Sequence, residues 1–326
     1  MKKYYVGMDL GGTNIKLAIF DEGLAKAGES RLDTEKEYGS QHVLERMYEG
    51  ITGLLEETGI SVSEVEAMGI GVPGLMDIKA GVSRFSPNFP DWEDVPVSSW
   101  LGERLGIPVY IDNDARVNLY GEWYFGAGKG MKNLMMLTLG TGLGAAYIVD
   151  GHMLYGAGGS ANEFGHMNMF REGRPCNCGS SGCLGRYVSA VGMVNTLREK
   201  IGEGRTSIIT DWVGGDYSKV TADMLSEAYD KGDRTAIETL EETGELLGFA
   251  LGTAMNLLNP EMIIIGGGMS QAGERLLCST RKTVEAHSLK LARDACRIVT
   301  ARLGDAAGME GAAAYARLRH EDVTAR

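Results

Sequence analysis

Residues 163–183, EFGHMNMFREGRPCNCGSSGC, place one imidazole and three thiols at a spacing that suits metal chemistry. His166 stands ten residues before Cys176, and Cys178 and Cys183 follow in a turn rich in Gly and Ser. Zinc takes such a Cys3His set in tetrahedral geometry, and four protein ligands leave no position open for water, so the expected ion is structural. Three cysteines cannot all pair as disulfides, and Gly179 and Gly182 offer the backbone freedom that a tight metal turn requires. Glu163, three residues before His166, brings a carboxylate to the edge of this segment. It is suited to binding hydroxyl groups, and its plain alternative is a solvated surface charge.

Two glycine turns carry a second kind of chemistry. Asp9-Leu10-Gly11-Gly12-Thr13-Asn14, with Lys16 beyond, ends an apolar run in bare backbone and short polar side chains, which can approach phosphate oxygens. Asp9 is placed to hold Mg2+ through water. Alone, this turn reads more readily as an ordinary hairpin. A second turn, Gly140-Thr141-Gly142-Leu143-Gly144, repeats the design, and two such loops facing each other form a phosphate clamp. The same residues match a dinucleotide fingerprint, but that motif needs a following helix, and AAYIVDG alternates as a strand. Gly128-Lys129-Gly130 lacks the hydroxyl of a P-loop. Gly266-Gly267-Gly268 follows Met262 to Ile265, and either receives a base or ribose on bare backbone or turns into a helix capped by Ser270. In VYIDNDA, Asp114 at a strand end beside Asn113 suits a general base acting on a hydroxyl as phosphate is attacked; the alternative is a helix cap.

The elements that position these residues alternate strand, helix, strand. YYVGMDL and IKLAIFD form a hairpin, and LMMLTLG with AAYIVDG forms a similar one far downstream, an internal duplication. Val43, Leu44, Met47, Ile51, Leu54 and Leu55 lie at helical spacing. AMGIGVPG and IPVYIDND read as buried strands. Helical runs follow from Tyr187 and from Ala222, the latter broken near Gly232 and stopped by Pro260, and an Ala-rich helix spans 311–319. This is α/β architecture. The domain change is placed near Ala115: an N-terminal α/β domain over residues 1–115, with the C-terminal helix at about 307–326 packing back on it, and a larger C-terminal α/β domain over 116–306 carrying the metal segment.

With 326 residues the chain is long enough for two cores, and its net charge of −12 opposes sequence-independent binding of nucleic acid. No apolar run reaches the length of a membrane helix and the N-terminus lacks the pattern of a signal peptide, so a soluble, cytoplasmic protein without membrane partners is expected.

DLGGTNIKLAIFD, GVPG, SPNFPDWEDVP, DNDA, LGTGLG, EFGHM, CNCGSSGC, NLLNPEMIIIGGG and LGDAAGMEGAA, taken in order, make nearly the whole chain resemble the ROK family (repressors, open reading frames and kinases), specifically its bacterial sugar kinases of glucokinase type. The resemblance implies a duplicated actin/hexokinase-like (ribonuclease H-like) fold with a cleft between two domains. It implies an ATP- and Mg2+-dependent transfer of the γ-phosphoryl group to a hexose, glucose first, in a homo-oligomer (dimer or tetramer) with structural Zn2+. Asp114 then corresponds to the base; Gly74, Asn88, Asn113, Glu163 and His166 to the sugar pocket; Asp9, Gly11, Gly12, Thr13, Asn14 and Lys16 with Gly140, Thr141, Gly142 and Gly144 to the phosphate elements; and Gly266, Gly267 and Gly268 to the adenosine side. His166, Cys176, Cys178 and Cys183 correspond to the zinc ligands. One departure stands out: the family's sugar kinases continue GCLE, whereas this chain has Gly185 at the place of that second sugar-binding Glu. Other substrates (N-acetylmannosamine, N-acetylglucosamine, fructose, mannose, allose) and a non-catalytic sugar sensor therefore remain as alternatives. Sensors of the family carry a helix-turn-helix ahead of the first strand, for which Tyr4 leaves no room.

Overall fold

Apolar strands recur twice in the same order and build two sheets of one topology. The computed structural model describes residues 3–86 and 88–324. In the first sheet β1 (Tyr4–Leu10) pairs antiparallel with β2 (Asn14–Asp21), and β2 with β3 (Lys26–Asp33). Strand β4 (Val65–Val72) joins β1 in parallel. A small antiparallel sheet of β5 (Leu75–Asp77), β6 (Val82–Phe85) and β7 (Glu93–Val95) follows, and β8 (Val109–Asn113) then lines up parallel to β4, giving the order β3-β2-β1-β4-β8. The second sheet repeats this with β9 (Leu134–Leu139), β10 (Leu143–Val149), β11 (His152–Met153), β12 (Met262–Gly266) and β13 (Arg297–Thr300), in the order β11-β10-β9-β12-β13. The duplication read from the two hairpins thus extends to all five positions of each sheet.

The chain divides into two units. The first takes in the chain up to Gly130, the excursion Tyr155–Ala161 and everything from Arg302 onward; the second holds Met131–Leu154 and Asn162–Ala301. The boundary expected near Ala115 therefore moves, because α3 (Asp114–Tyr124), whose start is the end of β8, packs on the C-terminal helix and stays with the first unit. Helix α1 (Ser40–Thr58) buries the six apolar residues at helical spacing against this sheet, joined by α2 (Val97–Leu105).

In the second unit, the helical run from Tyr187 is two helices, α4 (Gly185–Val188) and α5 (Ala190–Gly202). Ser189 separates them, its hydroxyl accepting the Gly192 N–H at 3.1 Å to cap α5. The short α6 (Ile209–Trp212) leads to α7 (Ala222–Asp230) and α8 (Arg234–Leu258), which break at Lys231 to Asp233 as Gly232 requires. Asn259 in left-handed conformation ends α8 before Pro260. Helix α9 (Glu274–His287) packs along α8, and α10 (Lys290–Ala295) leads into β13.

The last helix, α11 (Ala307–Thr324), is longer than its Ala-rich stretch and lies on β1, β4 and α3. The glycines inside β1 and β4 explain its closeness: a Cβ on Gly7 would fall 1.9 Å from the Met309 carbonyl oxygen, and one on Gly69 would fall 2.0 Å from that of Ala312. Only bare backbone admits the helix at this distance. Of the expected helix at 307–326, Ala325 and Arg326 lie outside the described residues.

Candidate active site

The metal segment gathers its four candidate ligands in the second unit. The ligand atoms of His166, Cys176, Cys178 and Cys183 all lie within 4.8 Å of one another. Cys176 Sγ is 3.7 Å from His166 Nδ1, and Cys178 Sγ is 3.7 Å from Cys183 Sγ. A tetrahedron with Zn–S bonds of about 2.3 Å has edges of about 3.8 Å, so the donor set fits the ion, and the sulfurs are too far apart for disulfides. The Ser180 amide and Cys176 pull the Cys178 thiol down to about 7, whereas burial pushes Cys183 up to about 12. Gly179 and Gly182 both have positive φ (+89° and +68°), as a tight turn needs.

His166 Nδ1 faces the thiols, which leaves Nε2 on the other side, 3.9 Å from Glu163 Oε2. Both side chains are about half exposed and free to meet a ligand. Gly185 lies beside the same turn: a Cβ there would stand 3.3 Å from the Gly165 carbonyl oxygen and 3.6 Å from Leu143 Cβ.

Also in the second unit, the Gly140–Gly144 turn is closed by the Gly140 N–H donating to the Gly142 carbonyl at 3.0 Å, and the Ala190 N–H at the start of α5 donates to the Gly140 carbonyl at 2.9 Å. Gly140, Gly142 and Gly268 each face open space where a side chain would be, as a backbone cradle for a ligand does. Gly267, at φ +80°, turns the chain out of β12, and Ser270 lies within the following short helical turn and caps nothing. Behind Gly268 a recess of about 180 Å³ opens between Met193 of α5, Ala222 and Ser226 of α7, and Gln271. The glycines carry a signal in the sequence, but Met193, Ala222 and Ser226 do not, because they come from distant helices.

The remaining expected residues belong to the first unit. Register pairs Asp9 with Lys16 across β1 and β2. The Asp9 carboxylate is partly buried against the first turn of α11, where a Cβ on Gly308 would be 2.6 Å from Oδ2. Burial, then the charge of Asp114, raises Asp9 to about 6. Lys16 reaches Asp305 at 3.1 Å, and Asn14 donates to Asp33 at 2.9 Å. The turn between them is tied by the Gly11 N–H to Asn14 at 3.0 Å and by the Thr34 hydroxyl, which donates to the Gly11 carbonyl at 2.7 Å. Gly12 has Asn88 as a neighbour, 3.8 Å from the site of a Cβ; Pro87 of the same motif lies outside the described residues.

Asn113 ends β8 and is the cap of α3: its Oδ1 accepts the Ala115 N–H at 3.0 Å, while its Nδ2 donates to the Gly74 carbonyl at 3.3 Å. The capping alternative is therefore true of Asn113; Asp114 opens the helix beside it, and its Oδ1 shares the Ala115 N–H at 2.9 Å.

Two features of this unit had no pattern in the sequence. Lys36 Nζ stands 3.6 Å from where a Gly12 Cβ would be, lines a recess of about 540 Å³ with Gly12 and Thr13, and has no ion pair or hydrogen bond from its ammonium among the described residues. It sits in the acidic run TEKEY, where a lone cation carries no signal. Asp112, fully buried, is bound by Arg116 Nε at 2.6 Å and by the Tyr155 hydroxyl at 2.7 Å. Burial drives the Asp112 carboxyl above its ordinary range against the pull of Arg116.

A duplicated α/β fold of actin/hexokinase type, with glycine turns after the first hairpin strand of each sheet and a carboxylate pair at the strand ends of one, defines the class of sugar-phosphorylating proteins and their relatives. The ROK family model matches residues 5–319, and the chain belongs to the ROK family. It is 35% identical over 313 residues to a glucokinase of Halalkalibacterium halodurans, covering 95% of this chain and 93% of that one. A glucokinase of Thermotoga maritima is 35% identical over 317 residues, 96% of this chain and 97% of its own. Among solved structures, a ROK family glucokinase from Streptomyces griseus in complex with glucose and AMPPNP superposes with a TM-score of 0.80 at 31% identity, covering 97% of this chain and 99% of that one.

Proposed function

We propose that this protein is an ATP-dependent hexokinase of glucokinase type that transfers the γ-phosphoryl group of ATP to a hexose hydroxyl, glucose to glucose 6-phosphate, in the cytoplasm and as a homo-oligomer. The observation that carries this is the strand-to-helix turn of β8 and α3, where Asn113 is held by Gly74 and Asp114 lies within electrostatic reach of the desolvated Asp9, on a chain that shares 35% of its residues with glucokinases.

Asp114 takes the proton of the attacking hydroxyl as its oxygen bonds to the γ-phosphorus and the bond to the ADP oxygen breaks. Such a base contributes roughly 10²–10⁴-fold, and positioning and charge supply most of the rest. Asn88 and Asn113 of the first unit, beside Gly74, and Glu163 and His166 of the second are the residues assigned to the sugar hydroxyls. Gly11, Gly12 and Thr13, with Gly140, Thr141, Gly142 and Gly144, hold phosphate oxygens on backbone amides and hydroxyls. Asn14 and Lys16, paired with Asp33 and Asp305, brace the first turn. Gly266 to Gly268 take the adenosine, and the recess beside Gln271 and Ser226 has the size of a base. Asp9 would hold Mg2+, whose charge offsets that of the phosphates; a carboxyl raised to about 6 by burial and a like charge gains from a cation there. Zn2+ on His166, Cys176, Cys178 and Cys183 would hold the loop that carries Glu163 and turn His166 Nε2 toward the sugar.

Gly185 keeps a second reading open, a kinase for mannose, fructose, allose or an N-acetylhexosamine. ADP release across a panel of these sugars tests both. Release with glucose above the others supports the first reading, release with another sugar the second, and release with none sinks the kinase assignment in favour of a sugar sensor. Asp114→Asn should retain glucose binding and lose turnover by about 10²–10⁴-fold; near-normal turnover removes Asp114 from its role.

A further inference from the structure

We propose that Arg116 and Tyr155 are positioning residues for the phosphoryl transfer: they lock the Asp112 carboxylate against the Asn113 amide and so fix the turn that presents Asn113 and Asp114. This rests on the role given to Asp114 above.

Asp112 is the last residue but one of β8, fully buried, and both of its oxygens are engaged. Oδ1 accepts the backbone N–H of Asn113 at 2.7 Å and Arg116 Nε at 2.6 Å, and Oδ2 accepts the Tyr155 hydroxyl at 2.7 Å. A carboxylate bound in this way is no candidate for the base. It sets where the strand stops and the helix begins. Arg116 lies four residues on, in the first turn of α3, which returns its guanidinium to the strand end.

The other half of the network comes from far along the chain. Tyr155 opens the excursion Tyr155–Ala161, which packs with the first unit although the chain on either side belongs to the second. Its neck is closed by the Ala161 N–H donating to the Tyr155 carbonyl at 3.1 Å. Arg116 Nη1 donates to the Gly159 carbonyl at 3.1 Å, so Arg116 ties this strap to α3 by a second bond. Tyr120 adds its hydroxyl 3.3 Å from that of Tyr155.

Burying an ion pair is seldom the cheapest way to stabilise a fold, and an apolar cluster of the same volume often does better. Its distinctive property is directional. Charge-assisted bonds in a dry site hold one geometry, and removing one partner leaves the others unsatisfied.

The test uses the full chain with Arg116→Met, Tyr155→Phe and the conservative Arg116→Lys, read by hydrogen exchange of the Asn113 amide and by steady-state ADP release. In Arg116→Met the amide should exchange at least about ten-fold faster and kcat should fall about 10- to 100-fold, with KM for sugar and ATP within about three-fold. Tyr155→Phe should move both readouts the same way by less, and Arg116→Lys should recover part of each. Unchanged Asn113 exchange overturns the proposal. So does faster exchange with kcat per folded molecule within about two-fold of the parent, since a purely structural role would lower Tm and leave turnover alone. A parent protein that releases no ADP with any sugar defeats the kinase reading instead, and the exchange readout still decides whether the network holds the turn.

Discussion

On the proposed zinc site, Gly182→Ala should weaken metal binding far more than the same change three residues earlier. Gly182 has φ +68°, and a Cβ there would fall 1.7 Å from the Phe170 carbonyl oxygen. A left-handed backbone costs an alanine about 1–2 kcal/mol. The clash also requires the Phe170 peptide or residue 182 to move, and that joint carries three bonds: the Gly182 N–H donates to Arg174 at 2.9 Å, and its carbonyl accepts from Met169 at 2.8 Å and Phe170 at 3.3 Å. Weakening one or two of these at about 0.5–1.5 kcal/mol each brings the total to about 2–4 kcal/mol. Cys183 is the next residue, so the loss falls on the ligand set, and at about 1.4 kcal/mol per decade the ion affinity should drop about 30- to 1000-fold. Gly179 has φ +89° but open space at its Cβ. Gly179→Ala should therefore cost the backbone contribution alone, about 5- to 30-fold in affinity. Competition against a chromophoric chelator, with metal content measured on the same samples, compares the two. Affinity within about three-fold of the parent in Gly182→Ala, or an equal loss in both variants, would refute the packing argument.

Asp9 is raised from 3.8 to about 6, so the fold favours its protonated form, and its contribution to stability declines as pH rises from about 4 to 6. In metal-free protein, Asp9→Asn should flatten that decline by up to about 3 kcal/mol, measured by urea unfolding at both ends of the window; parallel profiles for the two proteins count against the assignment. With Asp9 in its proposed role of holding Mg2+ as a carboxylate, magnesium nucleotide binding should weaken in the opposite direction, as pH falls below about 6. Lys36→Met should lower kcat/KM for ATP by about ten-fold and Lys36→Arg should recover it, a charge effect in the recess at Gly12; unaltered kinetics in the methionine variant would remove Lys36 from the phosphate path. Gly185→Glu restores a carboxylate next to Gly165 and should lower KM for glucose by about 5- to 100-fold, with an unchanged or raised KM showing that the position does not face the sugar.

Much of the local structure was legible because its signals sit within a few residues of one another. Period-two apolar runs with glycine turns marked both hairpins, six residues at helical spacing marked α1, and Gly232 and Pro260 marked real ends. The four candidate metal ligands were equally easy to group, since they fall within eighteen residues of sequence, and the structure brings their ligand atoms within 4.8 Å of one another. The break at Ser189 was missed because apolar periodicity runs across it and only the cap reveals it. The boundary near Ala115 was misplaced for a related reason: polar residues end β8 there, but α3 is held by α11, nearly two hundred residues later, as the rings of Tyr120 and Tyr315, with centroids 5.4 Å apart, illustrate.

The sequence by itself determined the duplicated hairpins, the helix ends, the Cys3His set and the family motifs, all of which depend on residue type and short spacing. Tertiary structure alone decided that Lys36 lies over the Gly12 turn, that Tyr155 and Gly159 grip Arg116, and that Gly7 and Gly69 exist to admit α11. These depend on how closely two distant backbones approach. That distance is set by the whole packed layer, and no local pattern records it.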